Sequence, residues 1–226
     1  MAIATAYPTT FSKPKLRGWL HAFSTPTVLV AAIVLVAIAH SVSQRIAVSI
    51  FGFTALSLFG TSAVYHISNG RIAQQITKVL KRIDHANIFL IIAGTYTPLA
   101  LMLLPGNRAR LILTIVWSGA IAGVLMQLFW HNAPRWMSAP VYLALGWVAV
   151  GFMRDFAAFG GTAIVALIIA GGVAYSVGAI IYAIKKPNPS LKWFGFHEVF
   201  HAFTVLGFAA HTVAIFLATF GVNVQR

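Results

Sequence analysis

Runs of about twenty apolar residues, separated by short polar breaks, fill almost the whole chain. A helix that crosses roughly 30 Å of hydrocarbon at 1.5 Å per residue needs about 20 such residues. Seven stretches qualify: Leu20–His40, Ile46–Ile67, Ile83–Leu104, Leu111–Trp130, Met137–Phe156, Thr162–Ile184 and Phe196–Phe220. The breaks carry turn chemistry, as in Ser68-Asn69-Gly70, Pro105-Gly106-Asn107 and Pro187-Asn188-Pro189. The pattern predicts an all-α integral membrane protein, a seven-transmembrane helix bundle. Its expected organisation is a short basic cytoplasmic tail (1–19), one transmembrane domain (20–221) and a short external tail (222–226). The fifth stretch is as short as the fourth and carries Arg154 and Asp155 at its end.

Composition agrees with this pattern. The 226 residues are 59% hydrophobic and 8% charged, too little charge to cover a water-facing surface. A formal charge of +13 raises nucleic acid as a partner, but the cations sit singly or in small groups between apolar runs and make no continuous basic face. The expected partner is the lipid bilayer, with no nucleic acid. There is no cysteine, which excludes disulfides and thiolate metal sites. The apolar run after Lys13, Lys15 and Arg17 is too long for a signal peptide and is read as the first retained span.

Lys and Arg divide unequally between the two sides of the predicted bundle. Lys13, Lys15, Arg17, Arg71, Lys78, Lys81, Arg82, Arg135, Lys185, Lys186 and Lys192 fall on one side. Arg45, Arg108, Arg110, Arg154 and Arg226 fall on the other. The richer side is expected to be cytoplasmic, which places the N-terminus inside, the C-terminus outside and the protein in the cell (inner or plasma) membrane as a multi-pass chain. Gly119 and Gly123 form a GxxxG pattern in the fourth span, expected to allow close helix packing.

Ionisable residues within spans are costly and therefore mark candidate sites. His66 ends the second span, Asp84 and His85 begin the third, and His197, Glu198 and His201 begin the seventh. In the predicted topology all of these lie at one depth, near the cytoplasmic face. His197 and His201 are four apart, so both imidazoles project from one helix face, a spacing able to chelate an ion. Ser62 and His66 repeat that spacing. A third histidine from another helix would complete a three-imidazole set with an open position for water, the arrangement of catalytic zinc. Such a centre suits hydrolysis or transfer at an amide or ester, with Asp84 placed to hold or deprotonate the water and Ser62 to donate to an oxyanion.

Other residues receive blander readings. His85 lies about 100° round the helix from Asp84 and is expected to have a supporting role. Asp155 is expected to pair with Arg154 at an outer helix end, and His21, His40 and His131 to lie at the membrane interface. His211 is expected to be packed and hydrogen-bonded. His197–His201 reads HEVFH and matches HExxH, the zinc-protease helix with glutamate as base. No acidic residue follows Glu198 to complete that pattern.

Three segments, Ser62–His66 (SAVYH), Arg82–Pro98 (RIDHANIFLIIAGTYTP) and His197–His201 (HEVFH), carry a resemblance. With them the chain resembles the hemolysin III family, the bacterial branch of the progestin and adipoQ receptor superfamily. The resemblance covers all seven spans. It implies zinc held by His66, His197 and His201, with Asp84 on the metal-bound water and Ser62 beside it. It also implies the seven-span, N-inside topology and a zinc-dependent hydrolase of a lipid amide or ester linked to membrane lipid homeostasis. A non-enzymatic membrane sensor with structural zinc and a pore-forming hemolysin are the alternatives.

Overall fold

The computed structural model describes residues 13–130 and 135–224. Its helices are α1 (Trp19–Ile38), α2 (Val42–Ser68), α3 (Gln74–Leu103), α4 (Gly106–Phe129), α5 (Arg135–Gly146), α6 (Met153–Ile184) and α7 (Phe196–Val224). A 3-10 segment, Trp147–Phe152, joins α5 to α6. The only extended pairing among the described residues is a single bridge between Ser190 and Phe194 in the α6–α7 connection.

Six stretches are long and apolar enough to cross a membrane: Trp19–Ile38, Val42–Ser68, Gln74–Leu103, Gly106–Phe129, Ala139–Ile184 and Phe196–Gly221. The chain is thus an all-α, multi-pass membrane protein. The stretch Ala139–Ile184, 46 residues long, takes in both the fifth and sixth runs of the sequence pattern. It is not uniform helix, because Gly161 adopts φ 76° and ψ 174°. Only glycine takes that backbone conformation without strain. The break falls one residue before Thr162, the sequence-based start of the sixth run.

Local chemistry explains the helix ends. Ser41 and Gln44 form a reciprocal capping box that starts α2, the Ser41 hydroxyl accepting from the Gln44 N–H at 3.1 Å. Four consecutive helices, α1 to α4, pack in order, and α7 packs along α6 while also touching α1 and α3. Phe51, Phe59, Phe89, Ile112 and Ile215 fill the centre. Large apolar side chains also face outward, Phe53 being 72% exposed, as a hydrocarbon solvent permits. Gly119 and Gly123 make the close contacts expected of them: a Cβ at Gly119 would come 2.7 Å from Leu145 Cδ1, and one at Gly123 would collide with the Phe89 ring.

The helices outrun the apolar runs at one end. α3 begins at Gln74, nine residues before the first apolar position predicted for it, and its 30 residues span roughly 45 Å. Its first turns therefore extend beyond the hydrocarbon thickness and carry Lys78, Lys81 and Arg82. Beside them, the segment before α1 is tied to the α6–α7 connection. The Lys15 and Leu16 N–H groups donate to Lys192 and Trp193 carbonyls at 2.9 and 3.2 Å.

At the opposite end of the bundle Asp155 accepts from Arg108 Nη2 at 2.7 Å and Nε at 2.9 Å. This corrects the expected pairing with Arg154. Adjacent residues on a helix point about 100° apart, whereas Arg108 approaches from α4 with its guanidinium also over the Phe152 ring.

Candidate metal centre

Helix α7 begins with a local device that aims its histidines. Gly195 immediately precedes the helix, and its N–H donates to Glu198 Oε2 at 2.8 Å, the half of a capping box in which the third helical residue reaches back. The other Glu198 oxygen forms an ion pair with Arg17, from the segment before α1. Glu198 is 2% exposed, and its charge is compensated on both oxygens. The carboxylate is thereby committed to holding two segments together, which leaves the HExxH reading without its base.

With α7 anchored in this way, His197 and His201 face α2. His197 Nε2 lies 3.1 Å from His66 Nε2, and one ligand atom from each of His66, His197 and His201 falls within 4.8 Å of the others. This cluster can hold a metal ion. Gly18 brings the chain entering α1 hard against His66. Its φ is +85°, and a Cβ there would sit 2.8 Å from the His66 Cβ. Both the backbone conformation and the close approach require glycine.

Asp84 arrives from α3, its Oδ2 3.8 Å from His66 Nε2. Ser62, one turn before His66 on α2, is buried and lines the same cavity as Asp84. Ser62, His66, Asp84, His197 and His201 all line one cavity of 680 Å³. Its volume is within the range of about 300–1,000 Å³ found for small-molecule sites. The five residues singled out in the sequence are thus adjacent, although they come from three helices. His85 lines the same cavity, and His211 does so farther in, its Nε2 3.1 Å from the Ile168 carbonyl oxygen, packed and hydrogen-bonded as expected.

Two contributors escaped the sequence reading. His21, expected at the interface, is 3% exposed and stacks on His201 with ring centroids 4.0 Å apart and planes 11° apart. Among the described residues neither of its ring nitrogens has a hydrogen-bond partner. Arg17 is the second, and its lone basic side chain in a tail of similar cations gave no signal. His40 is exposed just beyond α1, and His131 lies outside the described residues.

The chain matches the Haemolysin-III related family over residues 9–212. It belongs to that family. Among curated relatives, this haemolysin-III-related chain is 35% identical over 183 residues to "Hemolysin-3 homolog" of Bacillus subtilis (strain 168), covering 80% of this chain and 81% of the relative. It is 29% identical over 168 residues to "Hemolysin-3" of Bacillus cereus, covering 74% and 72% respectively.

Proposed function

We propose that this haemolysin-III-related protein is a zinc-dependent hydrolase of a lipid amide or ester in the cell membrane. His66, His197 and His201 are the metal ligands in this reading, and Asp84 and Ser62 the catalytic side chains. The observation that carries it is the meeting of three imidazoles, one carboxyl group and one hydroxyl on the wall of a cavity whose deeper lining includes Ile91, Ile92 and Leu99.

The proposed topology has seven spans. As one straight helix the 46 residues of Ala139–Ile184 would run roughly 69 Å, more than twice the hydrocarbon thickness. The non-helical backbone at Gly161 supports two spans instead. The uneven distribution of Lys and Arg supports an N-terminus in the cytoplasm, a C-terminus outside and a histidine cluster toward the cytoplasmic leaflet.

Three imidazole donors are a ligand type that suits zinc. Nitrogen ligands about 2.0–2.1 Å from a tetrahedral ion lie about 3.4 Å from each other, and the 3.1 Å between His66 and His197 Nε2 is close to that. Bound there, zinc would polarise a carbonyl and acidify water. Asp84 is placed to take the proton of an attacking water and return it to the departing amine or alcohol. Ser62 can donate to the carbonyl oxygen as negative charge develops there. The apolar part of the cavity would accommodate the acyl chain and exclude bulk water.

The relatives' name supports a second reading, a pore-forming protein. The cavity's charged residues, Asp84 and the three cations of α3, gather at one end instead of lining a path across the bundle, which favours the hydrolase. The test is fatty-acid release from amide-linked and ester-linked lipids by the zinc-loaded protein. Asp84→Asn should lower the rate by about 10²–10⁴-fold while zinc is retained. Absence of release from either lipid class by zinc-loaded wild type would overturn the reading.

A further inference from the structure

The cavity is chemically graded along α3. Lys78, Lys81 and Arg82 line its outer end, and Lys78 and Lys81 are also exposed, so the cavity reaches the surface there. Next comes Asp84, beside the histidine cluster. Beyond it, Ile88, Ile92 and Leu99 continue the same wall. At 1.5 Å per residue, the outermost cation lies roughly 9 Å along the helix from Asp84, and the apolar wall extends roughly 22 Å in the other direction. Spacings of three and four residues keep these positions on one helix face.

Among the described residues the cations at the mouth have no anionic partner. The whole chain has three acidic residues. Glu198 pairs with Arg17, Asp155 with Arg108, and Asp84 lies beside His66. Among the described residues none of Lys78, Lys81 and Arg82 forms a salt bridge. Other cations at this end, including Lys186 and Lys192, do not line the cavity.

From this order we infer that the cavity binds an anionic lipid. Its phosphate or carboxylate headgroup sits at Lys78, Lys81 and Arg82, its acyl linkage beside the histidine cluster, and its hydrocarbon chain along the apolar wall. This rests on the hydrolase reading for what becomes of the linkage, and it narrows the substrate class to lipids with a negative group within roughly 9 Å of that linkage. Charge-assisted contacts to the headgroup supply selectivity that an apolar cavity alone does not.

The experiment compares binding of oleoyl lysophosphatidic acid and monooleoylglycerol to the purified full-length protein in neutral detergent. The two share an acyl chain and an ester and differ in charge. The anionic lipid should bind roughly tenfold or more tightly. That preference should fall in Lys78→Gln/Lys81→Gln, return in Lys78→Arg/Lys81→Arg, and persist in Lys186→Gln/Lys192→Gln. Equal affinities for the two lipids would overturn the proposal. So would equal losses in the two glutamine pairs, which would signify attraction to a generally basic surface, or displacement of the lipid by inorganic phosphate alone, which would signify a free-anion site. Binding is read without turnover, and zinc content is measured separately. Loss of headgroup preference is therefore distinguishable from failure of the hydrolase reading.

Discussion

The imidazole of His21 lies flat against that of His201, centroids 4.0 Å apart, and both of its ring nitrogens lack hydrogen-bond partners among the described residues. His21 backs the proposed ligand His201 without belonging to the group of three ligand atoms. A buried imidazole left unpaired costs free energy that an apolar side chain of similar size does not. His21→Leu should therefore leave zinc content unchanged and the thermal midpoint in detergent equal or higher. Loss of zinc in this variant would make His21 a ligand and refute the assignment.

The Arg17–Glu198 ion pair predicts a stability defect, not a chemical one. Glu198 is almost fully buried, so Arg17→Ala leaves a charge without its partner, at a cost of about 3–5 kcal/mol. Arg17→Met/Glu198→Met should recover part of this in thermal unfolding. If Glu198→Gln abolished hydrolysis with no loss of stability, the glutamate would be acting as a base.

Gly18 offers a third test. Alanine there meets both an unfavourable positive φ and the His66 side chain. The expected loss is about 1–3 kcal/mol, with weaker zinc retention during dialysis against a mild chelator. Unchanged stability and retention would mean that the segment before α1 does not support His66.

Arg108→Ala serves as the distant control. The Arg108–Asp155 pair is partly exposed, its side chains 39% and 26% accessible, so its loss should cost at most about 1 kcal/mol. Zinc content should be unaffected; a parallel loss of zinc would indicate coupling between the two ends of the bundle.

Much of this arrangement was legible in the sequence because membrane solvent makes it so. Hydropathy marks spans, and an ionisable group within one is rare enough to draw attention. His66, Asp84, His197 and His201 stood out for that reason, and the four-residue spacing on α7 put two imidazoles on one face. Less was legible where neighbours in space are distant in sequence. His21 lies in the first turn of α1, where position suggests an interface, and its depth follows from the packing of α7 against α1. Asp155 has Arg154 beside it in sequence, yet helix geometry sends that side chain elsewhere. The polar first turns of α3 fall outside any apolar run, so cutting at charges hid the helix that carries Lys78, Lys81 and Arg82 to the cavity.

The most direct test of the central claim is the metal content of purified, detergent-solubilised protein by inductively coupled plasma mass spectrometry, prepared without chelator. Wild type should carry about one zinc per chain, the stoichiometry of a single three-imidazole site, and His66→Ala, His197→Ala and His201→Ala should each lose it while remaining folded. Folded wild type without zinc, or variants that keep it, would contradict the shared site.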